Sequence, residues 1–261
     1  MSPRTQDLLQ VALRAARKAA QFISEESSKI HQVDFKGATD LVTQVDRGSE
    51  QIILHEIGRH FPDHGLVTEE SGGKTGTSSY TWIIDPLDGT TNFVHSYPFY
   101  AVSIAIYFQN SPLAGTIVDV YHKQTYWAVS GGGAFRDGKP ITVSHTRQLK
   151  HALLATGFPY VHDEIWARNF DYLKMLKGLT QGVRRGGSAA IDLAHVACGW
   201  LDGFWESGLK PWDQAAGSLM VQEAGGRVSK IDGSDFSVFD PEIVATNSYL
   251  HGETLKAMEE A

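Results

Sequence analysis

The chain has 261 residues, of which 42% are hydrophobic and 20% charged, and it carries a formal net charge of −7. That is enough chain for one large unit or two intimate halves around a sizeable core, with the balance of a soluble globular protein. The acidity speaks against a nucleic-acid surface, and no apolar run reaches the roughly 18 residues of a membrane span.

Residues 1–7 lack the apolar stretch of a signal peptide, and the single Cys198 allows no internal disulfide, so a cytoplasmic protein is expected. From residue 6 to about 26, Leu9, Ala12, Leu13, Ala16, Ala20 and Ile23 recur at helical spacing. The basic run Arg14-Ala15-Ala16-Arg17-Lys18 then reads as the wet face of that helix. Ile52, Ile53, Glu56 and Ile57 predict a second helix over 46–60, ended by Phe61-Pro62-Asp63-His64-Gly65. Leu66-Val67-Thr68 reads as a short strand, 72–79 as a flexible loop, and 80–84 as a strand. Alternation over 100–108, 112–121 and 125–129 predicts paired strands, followed by a hairpin over 131–140. The three glycines of that hairpin lack a following Lys-Ser/Thr and read as tight turns.

Beyond about residue 143 strand and helix alternate. Strands are expected at 151–156, 203–206, 227–231 and 243–245, with helices at 163–177, 188–199, 211–223 and the C-terminus. The chain divides into an α+β half over 1–144 and an α/β half over 145–261, within one compact unit.

The stretch richest in chemistry is Trp82-Ile83-Ile84-Asp85-Pro86-Leu87-Asp88-Gly89-Thr90-Thr91-Asn92-Phe93. Two carboxylates stand at the end of a strand, just before the start of a helix. Hard anionic oxygens attract a divalent cation such as Mg²⁺, and first-turn N–H groups attract a phosphate. As a bare D-x-x-D-G, the stretch is also an ordinary turn in which Asp88 and Thr91 cap a helix. The full stretch, however, resembles the signature W-I-I-D-P-[IL]-D-G-T-x-N-[FY] of the inositol monophosphatase family. A second stretch, Leu209-Lys210-Pro211-Trp212-Asp213-Gln214-Ala215-Ala216-Gly217 followed by Glu223-Ala224-Gly225-Gly226, resembles that family's other signature. The resemblance runs from about Ala12 to Ala257. It implies an α+β fold, the layered α-β-α-β-α sandwich of metal-dependent sugar phosphatases, with the active site between the layers.

The resemblance also implies roles. Asp85 would bridge two metals, the Leu87 carbonyl would serve the first, and Asp88 and Asp213 the second, with two or three Mg²⁺ per site. Glu69, in Thr68-Glu69-Glu70-Ser71 where the family has G-E-E-S, would be a further metal ligand, with Glu70 behind it. Asp46, closing Asp40-Leu41-Val42-Thr43-Gln44-Val45-Asp46, would work with Thr90 to orient or deprotonate the attacking water; as a bare residue it caps the following helix. Gly89 and Thr90 would hold the phosphate through their N–H groups. Asp88, Ser188, Ala189 and Glu206 would meet substrate hydroxyls, since a carboxylate accepts from two neighbouring ones. Pro86 should help to break the strand so that these groups converge. Trp212 reads as packing that directs Asp213, and Lys36 as a residue at the edge of the site.

The expected reaction is Mg²⁺-dependent hydrolysis of a phosphate monoester, foremost myo-inositol monophosphate, by direct attack of water and without a phosphoenzyme. Two metals can neutralise the phosphoryl oxygens, supply hydroxide and stabilise the leaving alkoxide. Inhibition by Li⁺ and a homodimer are further implications. The same chemistry on fructose 1,6-bisphosphate, histidinol phosphate or a 3′-phosphoadenosine nucleotide is the nearest alternative. A regulatory binding protein of the transcription machinery is an alternative of another class. Cys198, in an apolar helical segment, reads as an inert thiol, and His95, His162 and His195 as isolated histidines. Arg184-Arg185 would attract a phosphate or form a surface or subunit contact. No G-x-S-x-G elbow supports a covalent hydrolase.

Overall fold

A computed structural model describes residues 2–27, 29, 33–35 and 41–261. Lys36 and Asp40 lie outside the described residues. Helix α1 (Pro3–Glu26) is followed by strands β1 (Val33–Phe35) and β2 (Leu41–Thr43), helix α2 (Gln44–His60), and strands β3 (Gly65–Thr68) and β4 (Tyr80–Asp88). A one-turn helix α3 (Thr90–Val94) leads into β5 (Ala101–Phe108), β6 (Ser111–Asp119), β7 (Gln124–Val129), β8 (Gly133–Arg136) and β9 (Lys139–Ile141). The second half comprises β10 (Leu153–Thr156), α4 (Glu164–Leu179), β11 (Gly182–Arg184), α5 (Ala189–Ala197), β12 (Gly203–Ser207), α6 (Pro211–Glu223), β13 (Arg227–Ser229), β14 (Glu242–Thr246) and α7 (His251–Glu259).

Seven strands form one sheet in the order β3-β4-β5-β6-β7-β8-β9, with β3 and β4 parallel and the rest antiparallel. Five form a second, ordered β11-β10-β12-β14-β13, in which β10 runs parallel to both neighbours. Helices α1 and α2 cover the outer face of the first sheet, α5 and α6 lie between the sheets, and α4 and α7 cover the outer face of the second. The expected α-β-α-β-α sandwich is therefore present.

Sequence period explains each layer. On α1 the residues that face inward, Leu8, Leu9, Ala12, Ala16, Ala19 and Ile23, are buried at helical spacing. Each fully buried Leu or Ile contributes about 1.5–3 kcal/mol relative to exposure. The wet face is tied down: Arg14 Nε and Lys18 Nζ reach the two oxygens of Glu56 on α2, at 3.2 and 2.6 Å. Strand β4 is buried on both faces, which is why it reads as an apolar run without alternation. Trp82 and Ile84 enter the core beneath α1 and α2, while Ile83 enters the core shared with α5 and α6. That shared core holds residues of both sheets and joins the two halves.

Four details depart from the sequence reading. Pro86 does not end the strand: the ladder with β5 skips from Asp85↔Ser103 to Asp88↔Ala101, so Pro86 and Leu87 form a bulge. A residue without an N–H fits a bulge, and a bulge redirects side chains without terminating a strand. Helix α2 starts at Gln44 with Thr43 as N-cap, its side chain accepting from Val45 N at 3.0 Å, so Asp46 is not the cap. The 72–79 stretch folds back onto β3, with Lys74 and Leu66 exchanging backbone bonds of 3.0 and 2.9 Å. Finally, β1, β2 and β11, each three residues long, were too short to carry a readable period.

Candidate active site

A cleft of about 240 Å³ opens where the ends of β4 and β12 meet the starts of α5 and α6. Glu69, Asp85, Leu87, Asp88, Gly89, Thr90, Ser188, Ala189, Glu206 and Asp213, which are ten of the eleven residues expected to form the site, line it. Asp46 lies just behind, joined to Thr90.

Helix α2 presents Asp46, Ser49 and Glu50 on one buried face, as the i, i+3 and i+4 positions require. Asp46 Oδ2 accepts from Thr43 N at 2.8 Å and from Thr43 Oγ1 at 2.5 Å, completing a capping box. Its Oδ1 accepts from Thr90 Oγ1 at 2.7 Å, and the same hydroxyl lies 3.0 Å from the Leu87 carbonyl. Ser49 Oγ donates to the Pro86 carbonyl at 2.7 Å and so braces the bulge. Glu50 Oε2 accepts from Glu70 N at 3.0 Å, steadying the turn that carries Glu69. Neither Ser49 nor Glu50 was singled out from the sequence, because both act through backbone groups distant in the chain.

Gly89 is the N-cap of α3 with φ +91°, a left-handed conformation, and a Cβ there would stand 2.9 Å from the Phe99 carbonyl. Glycine thus permits the close turn that brings the first N–H groups of α3 to the cleft. Asn92 holds the turn in place, its Nδ2 donating to the carbonyls of Phe99 (2.7 Å) and Gly186 (3.0 Å) and linking the two halves of the chain.

The carboxylates shape the electrostatics. Asp85 is 2% exposed and its Oδ1 accepts from Leu87 N at 3.0 Å. Burial, and then the charges of Glu69, Asp88 and Asp213, push its carboxyl well above the usual range, and Glu69 is in hydrogen-bond contact with it. Asp213 is also pushed well up, by burial first and then by Asp88, although the Lys210 N–H donates to its Oδ2 at 2.7 Å. Asp88 is raised to about 6 by burial, opposed by donors from Ser188 (2.6 Å) and Ala190 N (2.8 Å). Burial also raises Asp46, against the lowering effect of its Thr43 and Thr90 donors.

The Ser188 hydroxyl is therefore spent on Asp88, while its oxygen caps α5 by accepting from Ile191 N at 3.3 Å. Ser188 orients Asp88, a role the sequence did not suggest. The Glu206 carboxyl is pushed up to about 8 by burial, with Arg185 acting in the opposite direction. Arg185 faces Asp88, Asp192 and Glu206 as a counter-charge within the cleft, which resolves its role from the Arg184-Arg185 pair. Asp192 was not picked out from the sequence. It occupies the first turn of α5, 3% exposed, and burial holds its carboxyl well above the usual range. Burial raises the half-buried Cys198 thiol to about 11, which disfavours the nucleophilic thiolate.

Among the described residues no three His, Cys, Asp or Glu side chains form a closed metal cage. The donor set nonetheless fits a hard cation. Glu69, Asp85, Asp88 and Asp213 share one cleft, where Glu69 and Asp88 raise the affinity of both Asp85 and Asp213 for protons, and Glu69 touches Asp85. A divalent cation relieves that repulsion, and Mg²⁺ habitually completes its shell with water and phosphate oxygens rather than with an all-protein cage.

Comparisons with known proteins agree with this fold. The family model described as "Inositol monophosphatase family" matches residues 4–261. The chain is 45% identical over 255 residues to the inositol-1-monophosphatase of Synechocystis, covering 97% of this chain and 89% of that protein. It is 44% identical to the Nus factor SuhB of Pseudomonas aeruginosa, covering 93% of this chain and 92% of that one. Among solved structures, the extragenic suppressor protein suhB of Bartonella henselae superposes with a TM-score of 0.94 at 38% identity, covering 98% of this chain and 99% of that chain.

Proposed function

The chain belongs to the inositol monophosphatase family of phosphoric monoester hydrolases, and on that premise we propose that it hydrolyses myo-inositol monophosphate to inositol and phosphate with Mg²⁺. The observation that carries this reading is the convergence of Glu69, Asp85, Asp88 and Asp213 beside the Asp46–Thr90 pair in one cleft. Glu69, Asp85, the Leu87 carbonyl, Asp88 and Asp213 would hold two or three Mg²⁺. The metal, when bound, neutralises phosphoryl oxygens and acidifies water.

The chain's own residues account for the remaining steps. The N–H groups of Gly89 and Thr90 bind the phosphate at the start of α3. Thr90, donating its single proton toward Asp46, has lone pairs left to accept one from a water, and the buried Asp46 carboxylate stabilises that arrangement. Attack by water is direct in this reading: the Asp46–Thr90 pair is placed to take the proton of a water, and the Ser188 hydroxyl is committed to Asp88. Glu206, with Asp88 and the α5 start at Ser188 and Ala189, meets the hydroxyls of the departing polyol.

The experiment is a Mg²⁺-dependent phosphate-release screen across inositol monophosphate, fructose 1,6-bisphosphate, histidinol phosphate and 3′-phosphoadenosine 5′-phosphate, with and without LiCl. Preference for the inositol ester and inhibition by Li⁺ support the reading; no release from any ester rejects it. The same reading carries a homodimer acting in the cytoplasm, which light scattering and fractionation test. Among the described residues no helix is long and apolar enough to cross a membrane.

A second reading, a regulatory binding protein of the transcription machinery, is favoured by one observation: relatives at 41–44% identity are described as Nus factors. Full complementation of a deletion strain by Asp85→Asn, a variant without turnover, would favour it.

A further inference from the structure

The buried stripe of α4 consists of Asn169, Tyr172 and Leu176. Asn169 is fully buried; its Nδ2 donates to the Gly157 carbonyl, while its Oδ1 has no partner among the described residues. An unpaired buried amide oxygen is destabilising, so an apolar side chain would serve packing better at this position. What the amide does instead is hold one peptide.

That peptide lies under Glu206. Gly157 is the first residue after β10, and it lines the cleft. Strands β10 and β12 are parallel with Thr156 opposite Trp205, and the Thr156 hydroxyl donates to the Trp205 carbonyl at 2.8 Å. A Cβ on Gly157 would stand 2.1 Å from Glu206 Oε2 and 2.3 Å from Oε1. The carboxyl of Glu206 therefore rests on the bare Cα of Gly157. The far end of the same short loop is fixed as well, since a Cβ on Gly208 would stand 2.6 Å from Pro159 Cβ. Asn169 is thus a restraint on a loop whose residues 157–160 all line the cleft.

We propose that Asn169 is a positioning residue for substrate recognition: through the Gly157 peptide it sets the floor beneath the Glu206 carboxyl and the 158–160 wall of the cleft. This rests on the phosphatase reading insofar as Glu206 meets substrate hydroxyls. Asp85, Asp88 and Asp213 stand on other elements, so loss of the Asn169 bond should weaken capture of a polyol ester and leave the phosphoryl step alone.

The test compares wild type and Asn169→Leu on inositol monophosphate and on phenyl phosphate, which has no ring hydroxyls. The expected result is a KM for the inositol ester raised about tenfold with kcat within about threefold, and unchanged kinetics on phenyl phosphate. In a Glu206→Ala background, Asn169→Leu should add nothing further. Equal losses on both esters, additive effects, or an unchanged KM overturn the proposal. If Asn169→Leu does not fold, Gly157→Ala, which drives a Cβ into the Glu206 carboxyl, must show the same selective rise in KM. A crystal structure of Asn169→Leu (or of Gly157→Ala) judges the idea without turnover: displacement of 157–160 and of the Glu206 carboxyl supports it, and unmoved positions overturn it. Wild-type protein that releases phosphate from neither ester rejects the phosphatase reading and leaves that structure to decide on Asn169.

Discussion

Replacing Thr90 by Val removes one hydroxyl and leaves the branched shape of the side chain. That hydroxyl lies 2.7 Å from Asp46 Oδ1 and 3.0 Å from the Leu87 carbonyl, in a site where Asp46 is fully buried. Asp46 Oδ2 keeps both of its Thr43 donors, so only one oxygen of the carboxylate loses its partner. A lost bond to a buried charged acceptor costs about 1.5–3 kcal/mol, which in a chain of this size lowers Tm by about 3–6 °C. The effect on catalysis is larger, because the water loses the oxygen that would accept its proton: kcat should fall by about 10²–10⁴-fold. The Thr90 donor lowers the Asp46 carboxyl, so its loss raises that carboxyl further and moves the acid limb of the pH–rate profile to higher pH. Thr90→Ser keeps the hydroxyl and should retain most of the rate. The assay is steady-state phosphate release with Mg²⁺ from pH 5 to 9, alongside thermal denaturation. A Thr90→Val enzyme within about threefold of wild type would refute the assigned role of the Asp46–Thr90 pair.

Asp85→Asn should nearly abolish turnover and remove the Mg²⁺-induced rise in Tm. The metal-free protein should be no less stable than wild type, because one member of a mutually repelling cluster is gone; a Mg²⁺ response equal to wild type in thermal denaturation would contradict the ligand assignment. Gly89→Ala combines a left-handed φ of +91° with a Cβ 2.9 Å from the Phe99 carbonyl, for a loss of about 2–3 kcal/mol; an unchanged urea midpoint would count against this. His251 is fully buried between the hydroxyls of Thr246 (3.0 Å) and Ser229 (2.9 Å), and burial lowers it to about 4 from 6.5. The unfolded chain then binds the proton first as pH falls, so the stability His251 confers is present above pH 6.5 and is lost toward pH 4, by about 2 kcal/mol at pH 5. The raised cleft carboxylates act in the opposite direction. The measurement is therefore the difference between wild type and His251→Gln in urea at pH 7 and pH 5, and an identical pH response of the two would refute the shift.

Much of the fold was legible because each layer has its own hydrophobic period. Helix α1 is amphipathic, and β4 is apolar throughout because it is covered on both faces, so both are readable from local pattern. What escaped notice depends on contacts that local pattern does not encode. The three-residue strands β1, β2 and β11 are too short for a period. The return of the 72–79 stretch onto β3 is made by backbone bonds that any sequence with suitable turns can form. From local pattern Pro86 reads as a strand breaker, because the missing N–H is a local property, whereas the bulge that accommodates it is set by pairing with β5.

The residues proposed to bring the chemistry are ones that local motifs already mark. Asp85, Asp88, Glu69, Asp213, Asp46 and Thr90 stand in motifs whose spacing survives whatever the remainder of the chain does. Their surroundings are set by folding: Ser188 serves Asp88, Arg185 and Asp192 share the cleft, and Glu50, Ser49 and Asn169 steady the turns. The reason is physical. A ligand or a base is specified by the atoms of its own side chain, but a counter-charge or a brace is specified by distance to a partner. In this chain those partners lie 12 residues away for Asn169, 37 for Ser49 and 100 for Ser188, separations that become contacts only when two sheets close on the helices between them.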